Sequence, residues 1–185
     1  ITKQLGDGKL LSQLTKKKVV CDFRQNDMKN GGQGAPLTPI FHNLIANKYL
    51  KKELNKSYSV NIINIGGISN ITRTVKWDEL DEKKNFIEAC DIAPGNCLID
   101  EWVRKNSKKK YDIGGELASI GKTDTLILNQ ALENFNIGPP YKDSLDIKDF
   151  DISFVKGLSL EDGASTLTDF TSSQILKALN YFKES

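Results

Sequence analysis

Histidine is nearly absent: His42 is the single one among 185 residues. That rules out an HExxH motif and any two-histidine metal site. It also leaves His42 as the one base a Ser–His–Asp triad could use. His42 sits in an apolar amphipathic segment, where a structural role is the simpler reading. Cys21, Cys90 and Cys97 cannot all pair with one another, and none has CxxC spacing, so free thiols of a reducing cytoplasm account for them. No apolar run approaches the roughly 18–20 residues needed to cross a bilayer, and no signal peptide is visible. Neither GxxxxGK[ST] nor GxGxxG occurs, so any nucleotide must be held by other turns. Charge of one sign is lacking as well. The formal net charge of +2 argues for no polyanionic partner. Lys16–Lys18 and Lys108–Lys110 have no aromatic company and read as solvated loops rather than a nucleic-acid face.

What is present suits a globular protein, with 38% hydrophobic and 27% charged residues. The length fits one ordinary domain or part of a two-lobed protein. The chain opens on Ile1 and closes inside a helix-like pattern, which leads to the expectation of a segment of a longer protein.

Hydrophobic periodicity and turn residues predict the elements. Ile1–Leu5 reads as a strand, and Asp7 is placed to accept the amides of a short helix carrying Leu10, Leu11 and Leu14. Val19–Phe23 reads as a buried strand. Pro39–Leu50 reads as a helix with Phe41, Leu44, Ile45 and Tyr49 inward. The polar stretch Lys51–Ser57 is the best lobe boundary. Val60–Ile65 and Ile68–Val75 form a hairpin across Gly66-Gly67, and Trp77–Asn85 is a charged loop. Phe86–Cys90 is a third strand with Asp91 at its end. Helices are expected at about Cys97–Lys105, with Leu98, Trp102 and Val103 on one side, and around Gly115–Ile120 and Thr123–Asn134. Tyr141–Leu160 is loop-like. Thr166–Phe182 is an amphipathic helix opened by a Thr166/Asp169 capping box, with Phe170, Leu176 and Leu179 on its apolar side. Early strands and late helices indicate an α/β or α+β protein.

Three stretches carry chemistry. Val19–Arg24 delivers Asp22 and Arg24 beside the glycine-rich Gly31-Gly32-Gln33-Gly34-Ala35-Pro36. Glycine lets that backbone bend and approach a ligand, and Asp22 suits a general base in a polyhydroxylated pocket. A strand, a surface ion pair and a flexible loop explain the same residues. The second stretch is Asn64–Asn70, in which Gly66-Gly67 can present amides to phosphate oxygens or serve as a plain hairpin turn. The third is Asp91–Asn96, running from a strand end to a helix start where amides favour anions. Asp91 there is either a ligand for a hydroxyl or hydrated cation, or an ordinary turn acid.

In this order these stretches resemble one family, anhydro-N-acetylmuramic acid kinase. The matching residues are Gln4–Gly8; Asp22-Phe23-Arg24 with Asp27; Gly31–Leu37 with Pro39, Phe41 and His42; Asn64–Asn70; Asp91 with Pro94-Gly95-Asn96; Tyr111-Asp112 with Gly115; Pro139-Pro140; and Ala164 with Thr166-Leu167-Thr168. The resemblance spans nearly the whole chain. It implies an α/β fold of the actin-like, sugar-kinase (ribonuclease H-like) two-lobed type, here a partial chain. Residues 1–50 would end the first lobe with the catalytic-base loop, and residues 58–185 would form most of the second with a phosphate-facing hairpin. The implied reaction opens the anhydro bridge with water and transfers the γ-phosphoryl group of ATP to O6.

Asp22 matches the catalytic base of that family's DFR motif. Arg24, Asp27, Gly32 and Gln33 are the expected substrate-binding residues. Gly66, Gly67, Asn70, Asp91, Gly95 and Asn96 are expected on the nucleotide side, with Mg2+ accompanying ATP and no certain metal ligand. The partners implied are an amino sugar and ATP, with a homodimer open, no nucleic acid and no membrane, in the cytoplasm. Two departures stand out. Ile92-Ala93 replaces the family's usual Thr-Gly, and the glycine-rich ATP motif SGTSxDG is not in the chain. The isolated segment is therefore expected to be inactive. Two other readings stay open. One is a non-catalytic actin-like domain that binds a sugar or partner. The other is an ATP-independent glycoside hydrolase pairing Asp22 with Asp27 across about 5–10 Å.

Overall fold

The computed structural model describes residues 6–32, 34–50, 58–76, 86–135, 137–139, 141 and 144–184. The expected Ile1–Leu5 strand, the Lys51–Ser57 boundary, the Trp77–Asn85 loop and Gln33 lie outside the described residues. The elements run α1 (Gly8–Thr15), α2 (Phe23–Lys29), α3 (Pro39–Leu50), β1 (Tyr58–Ile65), β2 (Ile68–Lys76), β3 (Phe86–Pro94), α4 (Cys97–Asn106), α5 (Glu116–Ile120), α6 (Thr125–Asn134) and α7 (Leu160–Glu184). Short 3-10 turns precede α5 and punctuate the stretch before α7.

The sheet is antiparallel in the order β1-β2-β3. Ile63 pairs with Ile71 and Ile71 with Cys90, so these side chains share one face. That face packs against α7 through Phe182 and Ala178, with Tyr141 beside them. On the other face the buried Thr72 meets His42 of α3, whose Nδ1 lies 2.8 Å from Thr72 Oγ1. The lone histidine therefore ties a helix to the sheet. A second apolar cluster joins Leu98, Trp102 and Val103 of α4 to Leu167 and Phe170 of α7, with Phe150, Ile152 and Val155 beneath.

Several expectations are corrected. Val19–Phe23 is not a strand: no described strand pairs with it, and an unpaired strand has no acceptors for its amides. The chain instead turns at Asp22 and enters α2 at Phe23. In α3, Phe41 and Leu44 are about 60% exposed and Ala46 is the buried residue, so the inward face is rotated. β3 does not stop at Cys90. It continues to Pro94 through a register shift opposite Ser69/Asn70, which puts Asp91 inside the strand.

α7 begins at Leu160, well before Thr166. Thr166 is buried inside the helix and forms no capping box. Its Oγ1 donates to Asp162 O and accepts from the Asp124 amide. Leu176 is exposed, while Phe170 and Phe182 face the core.

One glycine of α7 lies directly against Trp102 of α4. A Cβ on Gly163 would lie 2.4 Å from the Trp102 ring, whose Nε1 donates to Leu160 O at 2.9 Å. Gly163→Ala is expected to destabilise the fold by about 1–3 kcal/mol through overpacking, measured by urea unfolding followed by tryptophan fluorescence.

Candidate functional site

The glycine loop after Asp22 is built around Asp27. Its Oδ2 accepts from the Gly34 amide at 2.7 Å, and its carbonyl accepts from the Asn30 and Gly32 amides. Gly32 has no room for a side chain there, because a Cβ would fall 2.1 Å from Asp27 Oδ2. Gly34 adopts φ +80, a conformation glycine takes without strain. Asp27 and Gly32 thus shape the loop. Arg24 is exposed and makes no ion pair among the described residues.

Asp22 differs. It holds a left-handed conformation, φ 66 and ψ 23, at the N-cap of α2, yet its side chain caps no amide. Strain of that kind costs about 1–3 kcal/mol and gathers at functional sites. The carboxylate is exposed and accepts only a thiol contact, from Cys21 Sγ at 3.6 Å, among the described residues. It stands at the rim of a hollow of about 560 Å3 lined by Leu10, Leu11, Leu14, Val20 and Phe23.

The second group converges. The Gly66-Gly67 turn lies against the start of α4. Gly95 N donates to Gly67 O at 2.9 Å, Asn96 N to Gly66 O at 2.7 Å and Cys97 N to Gly67 O at 3.3 Å. A Cβ on Gly95 would sit 2.0 Å from Gly66 O, so only glycine permits this approach. The amides of Gly95, Asn96 and Cys97 are thus engaged by carbonyls of the turn and are not free for an anion. The open surface belongs to Gly67. It is exposed, has no positive φ, and its added Cβ would meet nothing within 4 Å. Its conformation does not require glycine, whereas close approach of a ligand would.

Asn70 pairs with Asn64 on one side and Asp91 on the other, forming a polar row across the sheet. Asp91 Oδ2 accepts from the Leu145 amide at 3.0 Å and from Ser144 Oγ at 3.2 Å, so it anchors the chain before α7. Ile92 and Ala93 are core residues at 1% and 0% exposure, and their side chains reach no surface.

Residue-type reasoning missed a hollow of about 630 Å3 beside this group. It is lined by Asn96, Asp100, Tyr111, Asp112, Gly115 and Thr168 among others. The signal was in the matched motifs, since Asn96, Tyr111-Asp112, Gly115 and Thr168 come from three of them. Asp112 is a local organiser, its two oxygens accepting the Leu117 and Ala118 amides.

The family profile described as anhydro-N-acetylmuramic acid kinase matches residues 1–185. The chain belongs to that family. It is 53% identical over 185 residues to the anhydro-N-acetylmuramic acid kinase of Pelagibacter ubique, covering 97% of this chain and 47% of the relative. It is 40% identical over 185 residues to that of Zymomonas mobilis, covering 99% of this chain and 47% of the relative. With the enzyme of Rhodopseudomonas palustris it shares 39% identity over 175 residues, or 95% of this chain and 44% of the relative. The chain thus spans about half the length of the curated relatives it matches. The mixed α/β structure with a three-stranded antiparallel sheet fits the kinase family's superfamily. No described helix is long and apolar enough to cross a membrane.

Two measurements check this geometry. Gly95→Ala should lower the thermal midpoint while Gly67→Ala leaves it nearly unchanged, read by circular dichroism. Thiol labelling in the absence of denaturant should modify Cys21 and spare Cys90 and Cys97, which are buried; burial pushes the Cys90 thiol up to about 12. The Asp22 carboxylate raises the Cys21 pKa. Asp22→Asn should therefore raise the thiolate fraction and speed alkylation of Cys21 at pH 8.

Proposed function

We propose that the full-length protein carrying this chain is a cytoplasmic, ATP-dependent kinase of peptidoglycan recycling. It opens 1,6-anhydro-N-acetylmuramic acid with water and phosphorylates O6, giving N-acetylmuramic acid 6-phosphate and ADP. The observation that carries the reading is the state of the three candidate carboxylates. Asp27 and Asp91 each accept a backbone amide. Among the described residues Asp22 accepts none, is exposed, and sits in a strained conformation. It is the one free to take a proton from water as that water attacks the anomeric carbon and the bond from that carbon to O6 breaks. A positioned base of this kind is worth about 10²–10⁴-fold. The engagement of Asp27 in its own loop also disfavours a carboxylate-pair hydrolase.

ATP supplies the phosphoryl group. The residues present fit its phosphates at Gly67, where the absence of a side chain leaves the turn open to close approach. Asn96 links that turn to the adjoining hollow of about 630 Å3, where the rest of the nucleotide has room. Among the described residues no three acidic, histidine or cysteine side chains form a metal site. Mg2+ would then arrive with the nucleotide, held by phosphate oxygens and water. Ile92 and Ala93, which replace the family's usual Thr-Gly, lie in the core and lend no support to a non-catalytic domain.

In the full-length protein, Asp22→Asn is expected to cut turnover of anhydro-sugar and ATP by about 10²–10⁴-fold with the unfolding midpoint preserved. Coupled measurement of ADP release reads this, and near-parental turnover would remove Asp22 as the base.

A further inference from the structure

The strap Pro94–Cys97 is held on both polar sides. Its amides donate to Gly66 and Gly67, and its first two carbonyls are met by hydroxyls. Ser69, fully buried on β2 at the register shift, donates from Oγ to Pro94 O at 3.0 Å. Thr171, buried on α7, donates from Oγ1 to Gly95 O at 3.5 Å. Pro94 and Gly95 are themselves buried, so water does not readily replace either donor. Both hydroxyls are inside the protein, and each bonds the carbonyl of a peptide whose own amide donates to the glycine turn.

We propose that Ser69 and Thr171 are positioning residues for nucleotide binding, acting through the Pro94–Cys97 strap on the direction of the Gly67 amide. The proposal rests on reading the Gly66-Gly67 turn as phosphate-facing. Removing either hydroxyl takes one donor from a buried carbonyl, a loss of a few-fold to tenfold in the preference for the ordered strap. The strap then relaxes, and the turn it carries shifts with it. Thr171 thereby couples the long helix α7 to the phosphate turn across 76 positions of sequence.

The test uses the full-length protein, with ADP binding by calorimetry and steady-state kinetics for ATP and anhydro-sugar. Thr171→Val keeps the shape and removes the donor, Thr171→Ser keeps the donor, and Ser69→Ala removes the second hydroxyl. Thr171→Val and Ser69→Ala should each weaken ADP about 3–10-fold. KM for ATP should rise in step while KM for the anhydro-sugar stays unchanged, and Thr171→Ser should stay within about twofold. Parental ADP affinity in Thr171→Val, or an equal loss in Thr171→Ser, overturns the proposal. If Ser69→Ala does not fold, the Thr171 pair decides alone. Gly67→Val separates the two levels, since a branched side chain over the turn should weaken ADP tenfold or more. If Gly67→Val binds like the parent, the phosphate-facing reading falls and the positioning role with it. If Gly67→Val loses ADP but Thr171→Val does not, the positioning role falls alone.

Discussion

The structure depends on a backbone contact that a single methyl group would prevent. Gly95 lies so close to the Gly66 carbonyl that no side chain fits, and that closeness lets three successive amides reach the β1–β2 turn. The helix start and the hairpin tip become one unit. Orphan amides at a helix N-terminus need acceptors, and here a carbonyl of the neighbouring turn takes that of Cys97. The sheet is arranged for this meeting. The register shift opposite Ser69/Asn70 adds a residue to β3, which carries Pro94 and Gly95 across the end of the hairpin.

Around that unit the chain is uneven in burial. From β1 onward, two apolar clusters close against α7, and α6 is tied to the same helix by Thr123, whose hydroxyl donates to Asp169. The segment from α1 to α3 behaves otherwise. Leu10, Leu11, Leu14, Val20, Phe23, Ile40, Phe41 and Leu44 are all exposed. Asp22 lies in this segment with its carboxylate exposed.

Legibility followed how local each determinant is. The Asp7 cap, the hairpin, α3 and α4 were readable because capping residues, glycine turns and apolar periodicity act within a few positions. The loop of Asp27 was half readable. Its glycines were evident, but the carboxylate that organises them closes a bond seven residues away. The Val19–Phe23 stretch misled because an apolar run makes a strand only where another strand takes its hydrogen bonds. The early start of α7 was hidden by Gly163, which weakens helix propensity but is required beneath Trp102. The hollow beside Asn96 could not be foreseen from spacing, since α4, the α5 region and α7 build it together.

Ile92-Ala93 shows how such a reading can be wrong about meaning while right about position. A lost hydroxyl beside a candidate phosphate loop suggests lost function. In the structure both residues are sealed in the sheet–α7 core with Phe182 and Tyr141. Asp91, next to them, holds the chain before α7. The departure is therefore a change of packing under the strap, and its consequence for a ligand is limited to how firmly Pro94 and Gly95 are seated. The polar approach to the turn remains where Gly67 leaves it exposed, while the substituted pair is sealed in the core.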